Sequence, residues 1–182
     1  MPKTVFVVTH GDKETGPNPP MTHKGFEQVH AMRKVLPNHP TAVVCGTALR
    51  HFQVAEALGL TITRYTSVAG DSTSLDKKPD KSMVIVFADG REVPYDDGVV
   101  TITKDLAQAA VQLICDLPDG AIICAGRPFM LNLVAAGHTP ATGPGKSASV
   151  YAVTVVLDWQ WRIKSIAALA EDGVVGAGKA EL

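Results

Sequence analysis

The sequence carries no excess of charge. Its 17 Lys and Arg residues balance 18 Asp and Glu, leaving a net charge of -1. That excludes the basic footprint expected for nucleic acid or for an anionic membrane surface. No apolar run reaches membrane-spanning length, and no charged-then-apolar leader precedes the first strand-like stretch, so neither a membrane partner nor secretion is expected. Cysteine is scarce: Cys45, Cys115 and Cys124 lie in apolar segments at no zinc-like spacing. An odd number of such residues predicts reduced, buried thiols and a cytoplasmic location. No motif calls for a metal or a cofactor. There is no internal repeat and no linker, and 182 residues suit one domain with a substantial core.

What is present begins with Val5-Phe6-Val7-Val8, an apolar and largely β-branched run broken at once by Thr9-His10-Gly11-Asp12. The run predicts a buried strand, and ligands of open α/β sheets bind just beyond strand carboxyl ends, where His10 falls. Gly11 permits a tight turn and close backbone approach to a ligand. Residues 12–20 read as a Pro/Gly-rich loop. Thr22 then offers a cap to a helix with Phe26, Val29, Met32 (or Arg33) and Leu36 inward, closed by Pro37. Residues 41–46 predict a second strand, and 48–58 a helix with Leu49, Phe52, Ala55 and Leu58 or Ala57 inward. This β-α-β-α order implies a parallel sheet with helices on its faces.

Residues 60–67 allow a short strand, and 70–81 read as a polar loop. Residues 83–88 and 91–94 flank Asp89-Gly90, a hairpin signal. A helix is expected over 104–115 with Leu106, Ala109 or Ala110, Leu113 and Ile114 inward. Residues 121–126 repeat the strand-then-glycine pattern, and Pro128 suits the first turn of a helix running to Ala136 with Gly137 at its cap. Residues 149–157 and 161–169 predict an antiparallel hairpin. The expected architecture is α/β, a three-layer α/β/α sandwich with a mainly parallel sheet and an antiparallel C-terminal hairpin. Residues 1–170 form the domain, and 171–182 a flexible tail.

Several of these segments form an ordered set. Val7-Val8-Thr9-His10-Gly11-Asp12 resembles the Arg-His-Gly motif that opens the histidine phosphatase (phosphoglycerate mutase-like) superfamily. Met21-Thr22-His23-Lys24-Gly25-Phe26-Glu27-Gln28 is similar to its Leu-Thr-x-x-Gly-x-x-Gln segment. Gly46-Thr47-Ala48-Leu49-Arg50-His51-Phe52-Gln53-Val54-Ala55 is similar to its Ser-Pro-Leu-x-Arg-x-x-Gln-Thr-Ala segment. Ile123-Cys124-Ala125-Gly126 stands where the family has a second His-Gly, and the last strands also resemble the family's. The match runs from about residue 5 to about residue 170.

The resemblance implies phosphoryl transfer to a neutral imidazole, with guanidinium groups and helix N-termini holding the phosphoryl oxygens. It makes His10 the nucleophile and places Arg50, Gly11 and the Gly126-Arg127 helix start around the phosphate. Two parts of the pattern are absent: Thr9 replaces the arginine before the nucleophile, and Ala125 replaces the second histidine. Arg127 either compensates with its guanidinium or is a surface arginine at a helix start. The general acid stays open among Asp71, Asp89, Glu92, Asp96 and Asp97, each by default a solvated carboxylate. Asp12 caps or orients its loop.

His51, beside Arg50 on a helix, is expected to be exposed, since adjacent helical residues face different ways. His23 reads as a solvated rim residue and His138 as a loop residue, while His30 and His39 are not candidates. Residues 140–147 nearly spell a P-loop, but a helix precedes them and a strand follows, the reverse of what that motif needs. Loss of two transition-state donors predicts binding of a phosphorylated small molecule or phosphoprotein with little or no turnover. The alternative is a slow or specialised phosphomonoesterase acting through a phosphohistidine at His10.

Overall fold

Val5, Val7 and Val8 are all fully buried because strand β1 (Lys3–Thr9) lies in the middle of a sheet covered on both faces. In the computed structural model, which describes residues 1–71, 84–86, 92–94, 104–140, 143, 145 and 147–176, the elements follow the expected order. Helix α1 is His23–Ala31, prolonged by a 3-10 turn over Met32–Val35, and β2 is Val43–Cys45. Helix α2 is Leu49–Leu58 and β3 is Arg64–Tyr65. Strands β4 (Val84–Val86) and β5 (Glu92–Pro94) pair antiparallel, as expected for a hairpin; the Asp89-Gly90 turn lies outside the described residues. Helix α3 (Lys104–Asp116), β6 (Ile122–Ala125) and α4 (Arg127–Ala135) precede β7 (Val150–Leu157), β8 (Trp161–Glu171) and β9 (Val174–Val175).

The main sheet runs β3-β2-β6-β1-β7-β8-β9. Its first four strands are parallel, and β7 turns antiparallel against β1. Strand alternation sorts the side chains into two cores. Val5, Val7, Ile123, Ala125 and Tyr151 pack toward Leu113 and Ile114 of α3 and Phe129 and Leu133 of α4. Val8, Ile122, Cys124 and Val150 pack toward Val29 of α1 and Val54, Ala55 and Leu58 of α2. Each core removes enough aliphatic surface from water to hold its helices on the sheet, at roughly 25 cal/mol per Å². The layering is therefore the expected α/β/α sandwich. All three cysteines are free and buried, with Cys45 and Cys124 in register on neighbouring strands. Among the described residues, no helix is long and apolar enough to cross a membrane.

The sequence reading needs correction at three places. Leu106 of α3 is 43% exposed, and the inward face is Ala107, Ala110, Leu113, Ile114 and Cys115. Leu49 of α2 is exposed as well, while Arg50, His51, Val54, Ala55 and Leu58 turn inward. Finally, residues 171–176 do not fray. Strand β8 runs through Glu171, Asp172 turns with a positive φ of 50°, and β9 pairs back on β8. The Asp172 carboxylate accepts from the Ser147 N–H at 2.9 Å, which ties this end to the loop beside the site.

Candidate functional site

The site forms where β1, β2 and β6 end side by side. Their parallel register places Thr9 beside Ala125 and Cys45 beside Cys124, so the segments that follow emerge together. His10 leaves β1 here, Arg50 and His51 occupy the first turn of α2, and Gly126 caps α4. Of the residues read from the sequence, His10, Arg50, Gly126 and the start of α4 at Arg127 are thus brought to one edge of the sheet.

His10 is half-buried, and its Nδ1 lies 2.8 Å from the Gly11 carbonyl oxygen. A carbonyl only accepts, so Nδ1 carries the proton and Nε2 keeps its lone pair. Burial lowers the His10 pKa from 6.5 to about 4, and the charges of Arg50 and Lys13 push in the same direction. The ring is therefore neutral near pH 7, in the tautomer that leaves Nε2 nucleophilic.

Arg50 is 3% exposed, and its Nε and Nη1 have no hydrogen-bond partner among the described residues. Burial lowers its pKa to about 10, against which the charge of Asp71 holds it up. It stays a cation at neutral pH, sunk in the protein with unused donors. Of the acids expected near the site, Asp71 is the one whose charge reaches Arg50. Glu92 lies in β5, with nothing described of its side chain, and Asp89, Asp96 and Asp97 lie outside the described residues.

His51 is the largest departure from the sequence reading. It is fully buried, not exposed, and both ring nitrogens lack a hydrogen-bond partner among the described residues. Its ring centroid lies 6.1 Å from that of His10, with the planes tilted by 33°. Burial first, then Arg50 and His10, keep its pKa well below the usual value. Adjacent helical residues point in different directions, yet Arg50 and His51 both turn inward because they straddle the centre of the buried face. A pattern at 50, 51, 54, 55 and 58 was there to be read, but Leu49 and Phe52 offered a competing apolar stripe.

The loop bearing His10 is held by two glutamines whose roles sequence reasoning missed. Gln28 Oε1 accepts from the Asp12 N–H at 2.9 Å, and Gln53 Oε1 accepts from the Met21 N–H at 2.7 Å. The Asp12 carboxylate pairs with Lys24 at 3.1 Å and accepts from Ser147 Oγ at 3.3 Å. The Lys24 contact is the main reason its pKa is lowered. The Asn18 carboxamide oxygen accepts from the Leu49 N–H at 2.9 Å and pins the loop to the start of α2.

Gly11 and Gly126 act through space, because their own N–H groups are engaged by Met21 Sδ at 3.3 Å and the Ala69 carbonyl at 3.0 Å. A Cβ on Gly11 would stand 2.4 Å from the Gly25 carbonyl oxygen, and one on Gly25 only 2.1 Å from that of Asp12. Both obstacles are backbone atoms. Gly11→Ala is therefore expected to lower stability by roughly 3 kcal/mol, read as a shift of the urea midpoint at constant slope. An unchanged midpoint would show that α1 can part from the loop without loss.

Thr9 and Ala125 are register partners. Thr9 and Ala125 follow Val5, Val7 and Ile123 in the alternation and face the α3/α4 layer. Thr9 Oγ1 accepts from the Ser149 N–H at 3.0 Å and donates to the Ser147 carbonyl at 3.3 Å, and Ala125 is wholly buried. This corner therefore presents a hydroxyl and a methyl. His23 is exposed and pairs with Glu27 at 3.3 Å, as a solvated residue would. No group of three or more His, Cys, Asp or Glu residues that could hold a metal occurs among the described residues.

No family model matches the sequence, and no curated protein matches it either. Solved structures do match. The protein named mycobacterial hydrolase 2 superposes with a TM-score of 0.59 at 16% identity, over 98% of this chain and 94% of its own. A mycobacterial glucosyl-3-phosphoglycerate phosphatase gives 0.56 at 17% identity, over 91% and 98%. A Thermus thermophilus protein gives 0.54 at 16% identity, over 90% and 98%. These neighbours have the histidine phosphatase fold, and the likeness shows that this chain has it too.

Proposed function

We propose that this chain binds a phosphorylated ligand between His10 and Arg50 and turns it over slowly or not at all. The observation that carries the reading is the buried Arg50 guanidinium with unused donors beside a neutral imidazole. A phosphoryl group supplies the charge and the planar acceptor edge that such a fork pairs with. The fold shared with a phosphatase supports the same choice of ligand. Thr9 and Ala125 argue for weak turnover. Each missing preorganised donor costs about 10²–10³ in rate, and two together cost on the order of 10⁴. The ligand is a phosphorylated small molecule or a segment of phosphoprotein; a cytoplasmic location, where the three thiols stay reduced, belongs to this reading.

The His10 tautomer favours a second reading, slow phosphomonoester hydrolysis. In it the Nε2 lone pair forms a bond to phosphorus while the ester P–O bond breaks, and the departing oxygen takes a proton from solvent water. Water then breaks the P–N bond, releasing phosphate and returning the lone pair to Nε2.

Titration with inorganic phosphate at pH 7, followed through the His10 ring resonances, tests the binding reading. Saturation with a dissociation constant of about 1–10 mM is expected, and no shift at tens of millimolar would overturn it. An aryl phosphate assay separates the two readings. The parent is expected to differ little from His10→Ala, whereas fast turnover lost in that variant would establish the enzyme.

A further inference from the structure

We infer that His51 is a second imidazole of the phosphoryl site, donating a ring N–H to the bound group beside Arg50. This inference rests on the binding reading above and adds to it a residue that the motif pattern did not supply.

Three observations carry it. A neutral imidazole has one donor and one acceptor, and a wholly buried ring with neither paired loses the hydration of each without compensation. His51 is such a ring among the described residues. It also neighbours Arg50, whose Nε and Nη1 are in the same condition. One ligand oxygen set would accept from the donors of both side chains, which accounts for two successive polar residues turning inward together.

The backbone is cleared around this one ring. A Cβ on Gly46 would stand 2.2 Å from His51 Nδ1, one on Gly70 2.6 Å from Cε1, and one on Gly126 3.1 Å from Nε2. Gly46 and Gly126 do not have positive φ, so their conformation does not require glycine; the missing Cβ serves space. These glycines come from three separate segments: the end of β2, the turn after Ala69 and the end of β6. Together they seat the imidazole at the strand ends, where the ligand is expected.

The distance to His10 fits a shared ligand. With centroids 6.1 Å apart and planes tilted by 33°, the rings are neighbours without being stacked. A tetrahedral group held at His10 and Arg50 has oxygens within the reach of a neighbouring ring nitrogen.

The experiment is a titration of the whole protein, labelled with 15N at histidine, with inorganic phosphate at pH 7. The His10 and His51 ring nitrogens are expected to shift along one saturation curve. His51→Leu keeps bulk without a donor and is expected to bind phosphate about 10-fold more weakly or worse, while His51→Gln, which retains an N–H donor, stays within a few-fold of the parent. If His10 moves and His51 does not, His51 is a packing residue and the inference fails while the binding reading stands. If neither ring moves, both fail. Equal affinity of His51→Leu and the parent also overturns the inference. The parent titration decides the matter even where a variant does not fold.

Discussion

Arg50→Met is expected to make the protein more stable and less able to bind phosphate. The guanidinium is 3% exposed with two donors unpartnered among the described residues, a costly arrangement for a fold without ligand. The nearby charge of Asp71 offsets part of that cost. A methionine of similar length fills the space without a charge to desolvate. Urea unfolding should show a gain of about 1 kcal/mol, in line with replacement of buried charges by apolar groups. Phosphate affinity should fall by roughly 10–100-fold, the worth of a charged hydrogen-bonding partner. Opposite signs in the two measurements mark a residue kept for its ligand. A variant that is less stable and binds phosphate normally would show that Arg50 serves the fold.

Acid is expected to destabilise the protein well above the carboxylate range. Folding lowers the His10 pKa from 6.5 to about 4, so on acidification the unfolded chain takes up this proton first. Stability is whole above pH 6.5, falls as the pH drops toward 4, and changes no further through this group below that. The full loss from His10 is about 3 kcal/mol. His51 acts in the same direction, since burial and the charges of Arg50 and His10 hold it neutral when folded. Urea midpoints measured from pH 7.5 to pH 4 should show the fall, and His10→Asn should make it shallower by the His10 share while the His51 share remains. A parent curve without slope between pH 6.5 and 4.5 would mean that both rings protonate freely in the folded state.

Much of the architecture was legible because local chemistry and tertiary packing agree. Apolar β-branched runs at 5–8 and 121–125 became central strands, covered by helices on both faces. Thr22 caps α1 by accepting from the Gly25 N–H at 3.0 Å, as its hydroxyl suggested. Pro128 lies in the first turn of α4, where its missing N–H does no harm. The ordered motifs also pointed to His10 and Arg50, because strand ends and helix starts follow from the same periodicity that marks the elements.

The sequence by itself determined the order and kind of the main elements, and the residue types available to the site. What each side chain faces was decided only by tertiary structure. Helix α2 offered two stripes, and docking on the sheet chose the one that buries Arg50 and His51 instead of Leu49. Periodicity gives the angle between helical residues but not which direction is inward. Thr9 and Ala125 are 116 positions apart in the chain, yet they are register partners and share one corner of the sheet. Gln28 and Gln53 looked like ordinary polar residues until the loop they hold lay beside them. Gly46 and Gly126 follow strand ends without a positive φ, and the ring of His51 lies where a Cβ of either would stand. Such proximities are set by strand pairing and by the helices laid across it, which no local pattern of residues encodes.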